Sequence, residues 1–121
     1  MDAIHVRLFV TDADASADWY VEQFGFEESW EFEAGDQRHV YVADGNGFEL
    51  QLTETDGEEA IADADTFDHL ALGVEDVDAA FEDIENHGVV KEPGDQPEAG
   101  ARTAFVEDPD GNVVELVQPL D

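Results

Sequence analysis

Residues 5 to 49 of this 121-residue chain are written again, with changes, between residues 69 and 115. At an offset of 64, His5 meets His69, Leu8 meets Leu72, Val10 meets Val74, and Asp12, Asp14 and Ala15 meet Asp76, Asp78 and Ala79. Asp44 meets Asp108 and Gly47 meets Gly111 at the same offset, while Gly25 and Gly88 are 63 apart. Glu49 and Glu115 are 66 apart, which reads as a second turn longer by two residues. A unit this short cannot bury both faces of its own sheet, so the two copies are expected to combine into one curved assembly.

Each copy reads as β-α-β-β-β. Residues 3–10 alternate, with Ile4, Val6, Leu8 and Val10 on one face and His5, Arg7 and Phe9 on the other. The aliphatic face should pack on a helix, which leaves His5 facing the concave side. Thr11-Asp12-Ala13-Asp14 opens a helix through Phe24 that Gly25 ends. Strands are expected over 26–32, 38–43 and 48–52, the last two joined by Asp44-Gly45-Asn46-Gly47. The stretch from Thr53 to Thr66 is acidic and poor in large apolar residues, and reads as a linker. The second copy has a strand over 69–74, a helix from Asp76 that Gly88 stops, and a short strand at Val89 and Val90. A Pro- and Gly-containing loop over 91–101 follows, then strands over 102–107 and 113–118. The expected division is a first module over 1–54, an acidic linker over 55–66 and a second module over 67–121.

Asp and Glu number 33 against four Lys and Arg, for a net charge of −29, and the acids are spread along the chain. Four cations cannot neutralise a phosphate backbone, so nucleic-acid binding is excluded, as is an anionic membrane surface. A whole-surface acidic coat suits a high-salt cytoplasm, where self-repulsion is screened. The absence of cysteine removes disulfides, thiolate metal sites and Cys nucleophiles. Neither a signal segment nor an apolar run of membrane-spanning length is visible, so a cytoplasmic location is expected.

The last strand holds a carboxylate, Glu115, among apolar residues, just after the turn Asp108-Pro109-Asp110-Gly111. Burying an unpaired carboxylate is costly, so it needs a partner or a task. The duplication supplies both, because His5, Glu49, His69 and Glu115 stand at matched places. Neutral imidazole and carboxylate together suit Zn²⁺, Ni²⁺, Co²⁺, Mn²⁺ or Fe²⁺. The other two histidines carry structural readings. His39 has no counterpart at offset 64, and His87 is expected in the last helical turn, where a cation complements the dipole.

Here the chain resembles a known family. The run Ala104-Phe105-Val106-Glu107-Asp108-Pro109-Asp110-Gly111, then Val114-Glu115-Leu116, is similar to the C-terminal motif of glyoxalase I (lactoylglutathione lyase) of the vicinal oxygen chelate superfamily. The resemblance implies an α+β fold of two tandem βαβββ modules forming a curved mixed sheet around a metal site. It implies the ligand order His5, Glu49, His69, Glu115, a preference for Ni²⁺ or Co²⁺ over Zn²⁺ or Mn²⁺, and isomerisation of a methylglyoxal hemithioacetal to a lactoyl thioester. Glu115 is then the expected base, with Glu49 its counterpart. A homodimer is also implied, with His5 and Glu49 from one subunit and His69 and Glu115 from the other. The short bacterial enzymes carry an Arg near the position of Phe9 to hold a glutathione carboxylate; here the Arg is Arg7. Arg7, Phe9 and Arg102 are therefore the expected substrate contacts, and a smaller thiol such as γ-glutamylcysteine is the alternative to glutathione. Two other classes stay open. One is an epimerase or dioxygenase of the superfamily, methylmalonyl-CoA epimerases usually having Gln at the second ligand position. The other is a non-enzymatic binding or resistance protein, with Phe9, Trp19, Phe48 and Phe105 lining an apolar pocket.

Overall fold

Asp12 and Asp76 start the two helices by the same bond. Each side chain accepts from the backbone N–H three residues on, Ala15 at 3.0 Å and Ala79 at 3.1 Å, which satisfies an otherwise orphaned donor. The computed structural model describes residues 4–55 and 68–120. Within them the order is β1 (His5–Val10), α1 (Ala13–Phe24), β2 (Glu27–Ala34), β3 (Gln37–Ala43) and β4 (Glu49–Glu54). It continues with β5 (Leu70–Gly73), α2 (Val77–Asp83), β6 (Val89–Gln96), a 3₁₀ turn (Pro97–Ala99), β7 (Ala101–Glu107) and β8 (Val113–Pro119). The first set forms one compact unit and the second another. Each unit holds one four-stranded mixed sheet, ordered β1-β4-β3-β2 and β5-β8-β7-β6, with the outer pairs β1/β4 and β5/β8 parallel. The tandem βαβββ reading is thus realised in both copies.

The alternation of each strand decides which face its helix covers. Leu8, Val10, Val40, Val42, Leu50 and Leu52 are buried in the first unit with Ala13, Ala17 and Tyr20 of α1. In the second, Leu70, Ala104, Val106, Val114 and Leu116 are buried with Val77 and Ile84. Each such Val or Leu contributes about 1.5–3 kcal/mol by leaving water, more than any exposed ion pair offers. The opposite face of the first sheet is open only towards its edge strands, with His5 and Arg7 exposed and Phe9 half-buried, while His39, Tyr41, Gln51 and Thr53 at its centre are buried. Trp19 stacks edge-on against Tyr20 and Phe24 and belongs to the α1 core rather than to the open face.

Four local features differ from the sequence expectation. α2 ends at Asp83 with an extended Ile84 as its cap, not at Gly88, so His87 is not in a helical turn. The chain at 87–88 is held instead by β7: His87 N–H donates to the Glu107 carbonyl, and Glu107 N–H to the Gly88 carbonyl. A Cβ on Gly88 would stand 3.0 Å from the Glu107 carboxyl carbon, so close approach is what requires glycine there. Lys91 to Gln96 is strand rather than loop. β6 lies at the sheet edge, where Pro93 breaks no ladder on its outer side and register shifts absorb the irregular stretch. β4 runs on to Glu54, whose carboxylate accepts the Ala13 N–H at 2.9 Å. Gln118 does the same for Val77, also at 2.9 Å. The rest of the expected acidic linker, 56–66, lies outside the described residues.

Finally, the two turns have equal length. Ala43 pairs with Glu49, and Glu107 pairs with Val113. Asp44 accepts from the N–H groups of Asn46 and Phe48, and Asp108 from those of Asp110 and Asn112, with Gly47 and Gly111 at φ 94° and 83°. The inserted two residues expected between Glu49 and Glu115 are therefore absent, and the offset of 64 holds throughout both turns.

Candidate functional site

That equality rearranges the candidate residues. In the first sheet, residues side by side on neighbouring strands form rows on the open face. One row is Arg7, Gln51, Tyr41, Trp30, and the next is Phe9, Thr53, His39, Phe32. His5 stands beside Glu49, one row nearer the strand start. In the second sheet the matching rows are Ala71, Glu115, Phe105, Lys91 and Gly73, Val117, Thr103, Gly94. By register the counterpart of Glu115 is Gln51, at offset 64, and the counterpart of Glu49 is Val113. The pairing of Glu49 with Glu115 read from the sequence is not kept.

In the second unit the structure brings His69 and Glu115 together. His69 Nε2 lies 3.0 Å from Glu115 Oε1, and His69 Nδ1 lies 2.6 Å from Asp68 Oδ2. The Glu115 side chain is 17% exposed, enough shielding to strengthen the pair over one in bulk water. With a carboxylate at each ring nitrogen the imidazole is driven towards its charged form. Its pKa is raised, chiefly by the Asp68 hydrogen bond, against the lowering effect of burial, with the charge of Glu115 adding a smaller rise. Phe105 packs edge-on against the ring at 5.3 Å.

In the first unit, His5 packs edge-on against Tyr41 at 5.9 Å. The Glu49 carboxylate accepts a hydrogen bond from Ser29 Oγ. Burial, and secondarily the charge of Glu49, raises the Tyr41 phenol above its ordinary value. Gln51 is buried, with its Nε2 3.1 Å from His39 Nδ1, and that same nitrogen is 2.9 Å from Thr53 Oγ1. This His39–Gln51–Thr53 network was invisible to a search for repeats, because Thr103 and Val117 replace His39 and Thr53 in the second copy. Its one sequence signal is three polar residues at alternate or matching strand positions.

Two of the expected substrate contacts share the His5 face. Arg7 lies with its guanidinium carbon 4.7 Å from the centre of the Phe9 ring, a cation–π contact. Arg102, in the second unit, does not share the face of Phe105 and Glu115. It is on the opposite face of β7, where Nε and Nη2 donate to Asp78 at 2.7 and 2.9 Å and Nη1 donates to Asp95 at 2.9 Å. Among the described residues, Arg7 is the arginine without an ion pair to a carboxylate.

Imidazole and carboxylate donors fit a borderline divalent cation in type. Among the described residues no group of three or more such donors stands ready-made, so each unit by itself offers a pair and not a cage. No helix among the described residues is long and apolar enough to cross a membrane.

Comparison with known proteins agrees with this architecture. Residues 3–116 match the model of the Glyoxalase/Bleomycin resistance protein/Dioxygenase superfamily. The chain is 33% identical over 125 residues to a "probable lactoylglutathione lyase" of Synechocystis sp., covering 98% of this chain and 95% of that protein. It is 32% identical over 130 residues to the lactoylglutathione lyase of Escherichia coli O157:H7, covering 100% of this chain and 95% of that one. Among solved structures, TnmS3, an antibiotic binding protein from Streptomyces sp. CB03234, superposes with a TM-score of 0.76 at 28% identity, covering 98% of this chain and 96% of that one. Glyoxalase I from Zea mays superposes with a TM-score of 0.73 at 25% identity, covering 98% of this chain and 44% of that one.

Proposed function

Because the chain belongs to the glyoxalase/bleomycin resistance protein/dioxygenase superfamily, we propose that it is a divalent-metal-dependent isomerase acting on the hemithioacetal of methylglyoxal and a small thiol. The observation that carries the reading is the asymmetry of the duplicated pair. One copy has a carboxylate, Glu115, beside a histidine; its register counterpart is an amide, Gln51, which neither gives nor takes a proton at neutral pH. A 1,2-proton shift needs one base, which removes a proton from C1 and returns it to C2. Glu115 takes that role, the thiohemiacetal carbon ends as the thioester carbonyl, and no redox partner is required. The names of the relatives support the same reaction.

His5, Gln51, His69 and Glu115 are the proposed donors to the cation, with Glu49 beside His5. When bound, the cation would supply Lewis-acid stabilisation of the charge that develops on the carbonyl oxygen. Arg7 would hold an anionic group of the thiol, and Phe9 the stem beside it. The His69 contact keeps the Glu115 carboxylate oriented before substrate arrives. The proposal includes a homodimer and an acidic coat adapted to high salt.

A second reading, an epimerase, is favoured by Gln51 at the second donor position. Epimerisation must return the proton from the opposite side and so needs a second acid, for which Glu49 is the candidate. The test is an assay in molar KCl, with Ni²⁺-, Co²⁺- and Zn²⁺-loaded protein, methylglyoxal and several thiols, following thioester absorbance. Formation of a lactoyl thioester supports the isomerase. Bound metal with no thioester from any thiol overturns it.

A further inference from the structure

Gln51 and Glu115 occupy equivalent places on β4 and β8, but the two copies hold them in different ways. Glu115 is held by His69, itself a proposed donor. Gln51 is held from the next row, by His39 of β3. At the place of His39 the second copy has Thr103, whose buried Oγ1 has no hydrogen-bond partner among the described residues, and at the place of Thr53 it has Val117. The duplicated fold is thus built without a ring at this place, so the architecture does not account for His39.

Residue chemistry fixes the direction of the bond. Gln51 Nε2 is 3.1 Å from His39 Nδ1, and an amide nitrogen can only donate. Nδ1 is therefore the acceptor, and the ring proton sits on Nε2. Thr53 Oγ1, 2.9 Å from the same nitrogen, then shares that lone pair as a second donor. The ring has little freedom to turn. It is 5% exposed and lies against Phe32 with centres 4.5 Å and planes 14° apart, while Gln51 is 8% exposed and Thr53 fully buried. A planar amide carries its oxygen and nitrogen on different arms of one carbon, so fixing Nε2 on His39 turns Oε1 away from it. The row on that other side is the one of His5 and Glu49.

We infer that His39 is a positioning residue, which holds the Gln51 amide so that its oxygen, and not its nitrogen, is presented to a divalent cation. The inference rests on Gln51 being one of the donors named above. A glutamine needs this help where a glutamate does not. The two arms of a carboxylate are equivalent, whereas an amide reversed about its last torsion would aim N–H groups at the cation. The two arms of an amide have nearly the same shape, so packing cannot choose between them and hydrogen bonding must. His39 and Thr53 are not proposed donors, so their hold on Gln51 does not depend on metal loading, unlike that of His69 on Glu115. Outer partners of this kind orient a metal's ligands and are worth about 10–100-fold in affinity.

The test is calorimetric titration of Ni²⁺ into the full chain in molar KCl. His39→Phe keeps a ring against Phe32 and removes the acceptor. His39→Asn removes the ring and keeps an acceptor, its Oδ1, near the place of Nδ1. His39→Phe should weaken Ni²⁺ binding about tenfold and His39→Asn less than about threefold, whereas a packing role would reverse this order. In a Gln51→Ala chain, His39→Phe should cost no further affinity, because the residue it positions is gone. A second measurement needs neither variant nor metal: the imidazole nitrogen NMR spectrum of the metal-free chain at neutral pH should show His39 protonated on Nε2 and unprotonated at Nδ1. A proton on Nδ1, the reversed order of the two variants, or an equal loss with and without Gln51 would overturn the positioning role. Unchanged Ni²⁺ affinity in Gln51→Ala would remove Gln51 from the donors and the inference with it. A loss in Gln51→Ala with none in His39→Phe would overturn the inference alone and leave the donor set standing. The isomerase reading is judged separately, by thioester formation.

Discussion

Arg102 repeats, 64 residues later, the contacts of Arg38. Arg38 Nη1 and Nη2 donate to Asp14 at 2.8 and 2.9 Å and Nε donates to Glu31 at 3.0 Å, while Arg102 holds the matching acids with other nitrogens, Asp78 through Nε and Nη2 and Asp95 through Nη1. Asp14 and Asp78 lie in the first turns of α1 and α2, and Glu31 and Asp95 on the edge strands. Each arginine therefore ties a helix start to its sheet, and both aspartates are held below the ordinary carboxylate range by the hydrogen bonds.

A carboxyl held low in the folded chain adds stability that is present above its unfolded pKa, near 4, and lost as pH falls through the lowered folded value. Arg38→Gln and Arg102→Gln should each move the acid-unfolding midpoint, followed by circular dichroism, to higher pH. The effect of each is expected to be small because the pairs are exposed. Their effects should add, since the two clamps share no partner. A midpoint unmoved in the double variant would remove the clamps from the account of acid stability.

Glu115→Gln keeps the side-chain volume and removes the base. Turnover of methylglyoxal with the active thiol should fall by about 10²–10⁴-fold, with an unchanged circular dichroism spectrum. Retained activity would transfer the base role elsewhere.

Gln51 and Glu49 make opposite predictions for the cation. If Gln51 is the donor, Gln51→Ala should weaken Ni²⁺ or Zn²⁺ binding by roughly tenfold or more, and Gln51→Glu should tighten it, a carboxylate being the stronger donor. Glu49→Gln should have the smaller effect. Calorimetric titration of the metal into each variant decides, and the reverse ranking would restore Glu49 to the ligand set.

Asp108 is fully buried and accepts from two backbone N–H groups as well as from Asn112 Nδ2 at 3.0 Å. Asp108→Ala should cost about 2 kcal/mol, read from urea unfolding, because it leaves three half-buried donors without their acceptor. Asp108→Asn should cost less. Because this turn sets the start of β8, activity should fall with Asp108→Ala even where the protein remains folded.

A surface carrying a net charge of −29 should repel itself at low ionic strength. The thermal midpoint should climb steadily from 0.1 M to about 2 M KCl, most steeply at the low end where the screening length changes most. A midpoint independent of KCl would argue that the acids are compensated locally.

The duplication made the fold legible. Matched Asp caps, helix-ending Gly25 and the two Asp-and-Gly turns mark where each element starts and stops, and none of them depends on distant contacts. Edges were less legible. Pro93 and Gly94 read as loop because local chemistry says so, yet an edge strand tolerates both once β7 offers its hydrogen bonds. The His69–Glu115 pair followed from residue type and spacing. Gln51 did not: an amide attracts no attention in a search for donors, and the counterpart of Glu115 could be named only after the ladder fixed the register. Arg38 and Arg102 carried a usable signal, their spacing of 64, but an arginine among so many acids reads first as a surface charge.

The irregular edge of the second sheet has a consequence for crowded solutions. An open strand edge can template the backbone of a neighbouring molecule and start a growing stack. β6 presents Pro93, which has no N–H to offer, and its ladder with β7 shifts register between Val89 and Lys91 and again before Gly94. An incoming strand would find neither a continuous row of donors nor a constant spacing, despite the exposed Val89 and Val90 beside it. The same proline that obscures the strand in the sequence thus guards it against aggregation, when high salt has screened the mutual repulsion of the acidic surfaces.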